Sequence, residues 1–160
     1  MKVLALVTPI PDSDVNPSPA HEVGIYNETS LFVPLDQHTA RQVLDNIKSG
    51  EHKDFAQIEV VYVTEEEIVR INREHLGKNY VTDIITFPYH ESPSDPVEGT
   101  LFCCAHRIYE QSRDYEENDK TEFLRIFIHG VLHLCGYNDA TDHEKSVMRE
   151  KEDYYLKNLY

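Results

Sequence analysis

The segment that most restricts how this chain can fold is Phe123 to Leu134. In it Phe123, Leu124, Ile126, Phe127, Ile128, Val131, Leu132 and Leu134 leave almost no polar face. A helix that is apolar nearly all round has to be enclosed by other elements, so this one is expected at the centre of the fold. Asp119-Lys-Thr-Glu122 reads as a capping box at its start, and Gly136 suits the residue just past its end. A chain of 160 residues suits a single domain built around such a helix.

The remaining pattern supplies the enclosing layers. Val23 to Val33 is rich in β-branched and aromatic residues and reads as a strand. Asp36 is placed to cap a helix through Ser49, with Gly50 after it. Ile58 to Val63 is nearly all apolar, as expected of a strand buried on both faces. Thr64-Glu-Glu-Glu67 is a capping box, and its helix should turn Ile68, Val69, Ile71 and Leu76 to the core before Gly77 stops it. Thr82 to Phe87 reads as a short strand, 90–98 as a loop, Gly99 to Ala105 as a strand and His106 to Tyr115 as a helix. Thr141-Asp-His-Glu144 caps a last helix to Leu156. The expected fold is α/β (α+β): one small mixed sheet of about four strands with about five helices. Residues 1–22, with Pro9, Pro11, Pro17 and Pro19, read as an irregular extension, leaving 23–160 as the domain.

Composition narrows the function. Lys plus Arg number 15 against 29 Asp plus Glu, a net charge of −14. That opposes extended nonspecific nucleic-acid binding, which rests on phosphate neutralisation, but allows a small basic cleft on an acidic body. No apolar run approaches the ~20 residues that span a bilayer. Val3 to Val7 is shorter than a signal-peptide core, and no small-residue cleavage site follows it. Three cysteines, Cys103, Cys104 and Cys135, make no disulfide framework. The expected compartment is the reducing cytoplasm.

The chemistry concentrates in His129-Gly-Val-Leu-His133-Leu-Cys-Gly136-Tyr-Asn-Asp139. Two histidines four apart share one helix face, a spacing at which both imidazoles reach one tetrahedral ion. Burying two imidazoles without partners in so apolar a helix would cost roughly 1–3 kcal/mol each. After a left-handed turn at Gly136 the chain reverses and can return Asp139 to the same ion. His143 is the rival third ligand, otherwise a solvated residue of the last helix's first turn. A proteolytic zinc helix carries Glu directly after its first His, and here that position is Gly130. The pattern keeps the metal geometry without the protease's base. Cys135 points to the opposite helix face and reads as core, Tyr137 as packing for the turn, and the other histidines as surface residues.

His129-Gly-x-Leu-His133-Leu-x-Gly136-Tyr137 resembles the signature of the YbeY endoribonucleases, also described as rRNA maturation factors. Asn72 through Thr82-Asp83-Ile-Ile-Thr-Phe87-Pro88 resembles that family's central segment, and the resemblance runs from about Val23 to Leu156. It implies an α/β sandwich and a metal-dependent hydrolase that cleaves single-stranded RNA. It further implies roles in small-subunit ribosomal RNA maturation and ribosome quality control, with the rRNA and the small subunit as partners. The implied cofactor is one zinc ion per chain, or another divalent transition metal, held by His129, His133 and Asp139. Where the family commonly has a third His, this chain has Asp139, preceded by Asn138 rather than Asp. Where it commonly has a phosphate-assisting Arg, this chain has Leu76, and Arg73 and Lys78 are the nearby residues expected to bind RNA in its place. Each is equally readable as a solvated surface residue. The family's Gly-Asp pair at the next strand is Gly99-Thr100 here. No side chain stands out as general base. Two other classes remain: a ribosome-assembly factor with a structural metal, favoured by Leu76 and the acidic charge, and a zinc peptidase-like hydrolase, disfavoured by Gly130.

Overall fold

A computed structural model describes residues 22–159. Their order is β1 (Glu22–Asn27), α1 (Gln37–Glu51), β2 (Phe55–Val63), α2 (Glu65–Leu76), β3 (Ile84–Pro88), β4 (Val97–Cys104), α3 (Ala105–Asp114), α4 (Asp119–Leu134) and α5 (Asp142–Lys157). The four strands form one mixed sheet in the order β1-β2-β4-β3. β1 and β4 both run parallel to β2, and β3 runs antiparallel to β4 at its edge. This is the expected architecture of four strands and five helices. The expected extension falls, through residue 21, outside the described residues, and Glu22 opens β1.

Each sheet face carries its own core. Ile58, Val60, Tyr62, Leu101 and Cys103 pack with the buried side chains of α1, α3, α4 and α5. Val61, Val63, Ile85 and Cys104 face the other way, against Ile68 and Ile71 of α2. β2 therefore buries every side chain from Ile58 to Val63, Glu59 included, as expected of a nearly all-apolar strand covered on both faces. Cys103 and Cys104 lie in different cores and are free thiols. α4 is the enclosed helix, with Phe123, Leu124, Phe127, Ile128, Val131 and Leu132 almost fully buried. Gly130 is what lets α4 lie so close to the sheet: a Cβ there would stand 2.6 Å from Ile84 and 3.0 Å from Leu101. The place where a proteolytic helix would carry its Glu is thus filled by β3 and β4.

Several boundaries differ from the sequence pattern for local reasons. β1 stops at Asn27, not Val33, because the Asn27 side chain forms an Asx turn: its Oδ1 accepts from the Thr29 amide at 2.9 Å and its Nδ2 donates to the Leu31 carbonyl at 2.7 Å. α1 continues past Ser49 and Gly50 to Glu51 and closes at left-handed His52. The cap of α4 is Asn118, whose Oδ1 accepts from the amides of Lys120 and Thr121; Asp119 instead accepts from the Ser112 hydroxyl. Leu76 does not reach the core and is 51% exposed. Asn72 takes the buried position beside Ile71, donating to the Tyr80 carbonyl at 3.0 Å, and in the last turn it is His75 that meets the sheet, 5.1 Å from Phe87.

Candidate metal centre and its cleft

The C-terminal turn of α4 builds the site. Gly136, at φ 105°, closes a Schellman turn in which its amide donates to His133 and the Tyr137 amide donates to Leu132. That positive φ is strained for any residue with a Cβ, which is why glycine stands here. The reversed chain returns Asp139 to the face carrying His129 and His133. The two Nε2 atoms lie 3.0 Å apart, and Asp139 Oδ2 lies 3.3 Å from each. Both imidazoles are about four-fifths buried, at 21% and 23% exposed. His143 is exposed on the first turn of α5 and is not part of the group.

The outer ring nitrogens determine what these donors can do. His133 Nδ1 lies 2.9 Å from the Tyr137 carbonyl, which only accepts, so Nδ1 carries the proton. His129 Nδ1 lies 2.9 Å from the Glu152 carboxylate and donates to it in the same way. In neutral rings both Nε2 atoms then present lone pairs to each other and to a carboxylate. Three acceptors converge with no proton among them, an arrangement that calls for a cation. A tetrahedral zinc with bonds of ~2.0–2.1 Å separates its ligand atoms by about 3.3 Å. The observed edges of 3.0, 3.3 and 3.3 Å fit that polyhedron. Carboxylate and carbonyl partners on the far ring nitrogens are also the usual support of zinc-binding histidines.

These partners are themselves anchored. Glu152 accepts from Arg125 at 3.3 Å, and Arg125 also meets Asp153 at 2.9 Å. Burial works to lower the pKa of His129, but the hydrogen bond and charge of Glu152, with Asp139 and Asp83 beyond, raise it. Tyr137 donates its hydroxyl to Glu51 at 2.6 Å, and Glu51 also accepts from Tyr155 and Lys151. The turn is thereby pinned to the end of α1. Cys135, expected in the core, packs against it; burial pushes its thiol up to about 12, and it is not part of the donor group.

A cleft of about 370 Å³ opens beside His129 and Asp139. Asp83 and Glu122 line it from the start of β3 and from α4; Lys145 and Arg149 line it from α5. Burial raises the Glu122 carboxyl, which Arg125 and Arg149 pull the other way and Asp83 pushes further up. Arg73 and Lys78 are not in the lining; both are exposed where α2 ends and the chain leads towards Asp83. Glu152, Glu122 and the cations of α5 escaped the sequence analysis. The signal for Glu152 was present: it sits between Met148 and Tyr155 on the buried stripe of α5, a carboxylate in an apolar position.

The fold and the site define a single-domain α/β protein whose central helix and turn carry a two-histidine, one-carboxylate group able to hold a metal. A family model described as endoribonuclease YbeY matches residues 26–160, and the chain belongs to that family of hydrolases. Relatives named endoribonuclease YbeY include one from Chlorobium luteolum, 35% identical over 139 residues that cover 87% of this chain and 98% of its own. Another, from Karelsulcia muelleri, is 36% identical, covering 84% of this chain and 93% of its own. The solution structure of TM1509 from Thermotoga maritima matches with a TM-score of 0.62 at 29% identity, over 86% of this chain and 88% of that one. Among the described residues, no helix is long and apolar enough to cross a membrane.

Proposed function

We propose that this protein is a zinc-dependent endoribonuclease specific for single-stranded RNA, acting in the cytoplasm on small-subunit ribosomal RNA in its maturation and quality control. Family membership supports the activity, and the resemblance supports the ribosomal substrate. The observation that carries metal dependence is the convergence of two imidazole lone pairs and the Asp139 carboxylate, with both outer nitrogens already committed.

His129, His133 and Asp139 would hold the ion; when bound, it supplies Lewis acidity toward a phosphoryl oxygen and lowers the pKa of a bound water. Three protein donors suit a catalytic site, which keeps a further position for water or substrate. Glu152 and the Tyr137 carbonyl keep the imidazoles in one tautomer and one orientation. Asp139 brings a negative charge where relatives commonly place a neutral His, so it lowers the net charge of the centre. Arg73 and Lys78, on the approach to the cleft, would bind the RNA backbone outside it.

The test is cleavage of a single-stranded fragment of small-subunit rRNA by metal-stripped and zinc-reloaded protein, beside a duplex of the same sequence and a peptide substrate. Zinc-restored cleavage of the single strand alone is the expected result. Equal inactivity of the stripped and reloaded forms, with zinc bound, would favour a structural metal instead.

A further inference from the structure

We propose that the α5 side of the cleft is a phosphate-binding subsite for the RNA backbone, with Lys145 and Arg149 as its binding cations. This rests on the ribonuclease reading and deepens it by assigning where the polyanion lies. The cleft's charges are unevenly distributed. Asp83 and Glu122 occupy the side built by β3 and α4, and Asp139 and Glu152 belong to the metal group and its support. A phosphate cannot settle among these carboxylates without a cation beside it.

Three cations line the cleft, and they are not equivalent. Arg125 is 11% exposed and committed to Glu152 and Asp153. Arg149 is 62% exposed and comes only within 3.9 Å of Asp153, whose carboxylate Arg125 already holds at 2.9 Å. Lys145 is exposed and has no ion pair among the described residues. Positions 145 and 149 are four apart on one helix, so both side chains share a face about one turn apart. That face borders the same cleft as His129 and Asp139. On a chain of net charge −14, Lys145, with no ion pair among the described residues, and Arg149, held only by a long exposed contact to Asp153, line the cleft beside the candidate metal group and favour an anion there. With Leu76 apolar and no residue of α2 lining the cleft, the phosphate charge inside it comes from α5. The backbone then runs with its phosphates toward α5 and its sugars and bases toward Asp83 and Glu122.

The test is equilibrium binding of a short 2′-O-methyl oligoribonucleotide, confirmed intact after incubation, to the zinc-loaded full chain at several salt concentrations. Lys145→Ala is expected to weaken binding about fivefold, and Lys145→Ala with Arg149→Ala about 25-fold if the two act independently, since an exposed ion pair contributes up to about 1 kcal/mol. Each loss should reduce the slope of log K against log salt by about 0.7. Lys145→Arg should retain binding, and Lys157→Ala, in the last turn of α5, should match wild type. Zinc content and melting temperature are measured for every variant to confirm the centre and the fold. Cleavage by the double variant should show a raised KM with kcat near wild type. Unchanged affinity and salt slope in the double variant, or no binding by wild type, overturns the subsite. Cation-dependent binding without cleavage by the zinc-loaded wild type overturns the ribonuclease reading and leaves the subsite standing. Cleavage with a double-variant KM equal to wild type does the reverse.

Discussion

Among the described residues, two groups of histidine and carboxylate side chains bring three donor atoms within 4.8 Å of one another: His129–His133–Asp139, and Glu65–His106–Glu110. Proximity is the same, but the chemistry is not. His106 turns one nitrogen, Nδ1, toward both carboxylates, 2.6 Å from Glu65 and 3.4 Å from Glu110, so a single proton on that nitrogen satisfies the group. Arg107 holds Glu110 as well, at 3.0 Å, and the cluster is about half exposed. At the α4 turn Glu152 and the Tyr137 carbonyl commit a proton to each outer nitrogen, so that with neutral rings three lone pairs face inward. A metal centre is distinguished by where its protons are committed, not by how closely its donors stand.

The comparison can be broken most directly at its ligands. His133→Ala is expected to abolish stoichiometric zinc uptake, whereas His106→Ala should leave zinc content unchanged; elemental analysis after reloading decides between them. Asp139→Ala should weaken zinc binding ~10-fold or more, by removal of a charged ligand, while His143→Ala does much less. Competition with a chelator measures both, and the reverse order would mean the chain after Gly136 delivers His143 to the ion.

The supporting shell gives smaller effects. Glu152→Gln keeps an acceptor at His129 but removes its charge, and a loss of about 10-fold in zinc affinity is expected. Glu65→Gln, the corresponding change at the exposed cluster, should have none. The smallest effect is at Glu51. Burial alone would raise its carboxyl, but hydrogen bonds from Tyr137, Tyr155 and Lys151, with the Lys151 charge, carry it below the ordinary value of 4.5. A depressed carboxylate contributes stability that is complete above its unfolded pKa and is lost as pH falls through the lower folded value. Denaturant unfolding should therefore show a shallower acid loss below about pH 4.5 in Glu51→Gln than in wild type, with little pH-dependent difference near neutrality.

How far the sequence carries follows from how local each signal is. The enclosed helix, the doubly buried strand and the caps at Asp36, Thr64 and Thr141 are written in runs and short spacings, and the structure has them. The histidine pair and the glycine turn are equally local. Strand order was not legible, because pairing of β2 with β4 joins segments separated by a helix and another strand. Glu152 lies 23 residues from His129 and Glu51 lies 86 from Tyr137, so no spacing rule could join them. Gly130 read as a missing base; the structure shows a helix pressed against Ile84 and Leu101, where a side chain has no room. Leu76 read as core from its period, yet a period does not say where the covering sheet ends.

The most direct test of the centre is X-ray absorption at the zinc edge of the reloaded protein, with metal quantified per chain. One zinc per chain is expected, bound to two imidazoles and an oxygen at ~2.0–2.1 Å, with no sulfur. Sulfur in the shell at ~2.3 Å, or an unchanged spectrum in the His133→Ala variant, would contradict the site built by this helix and its turn.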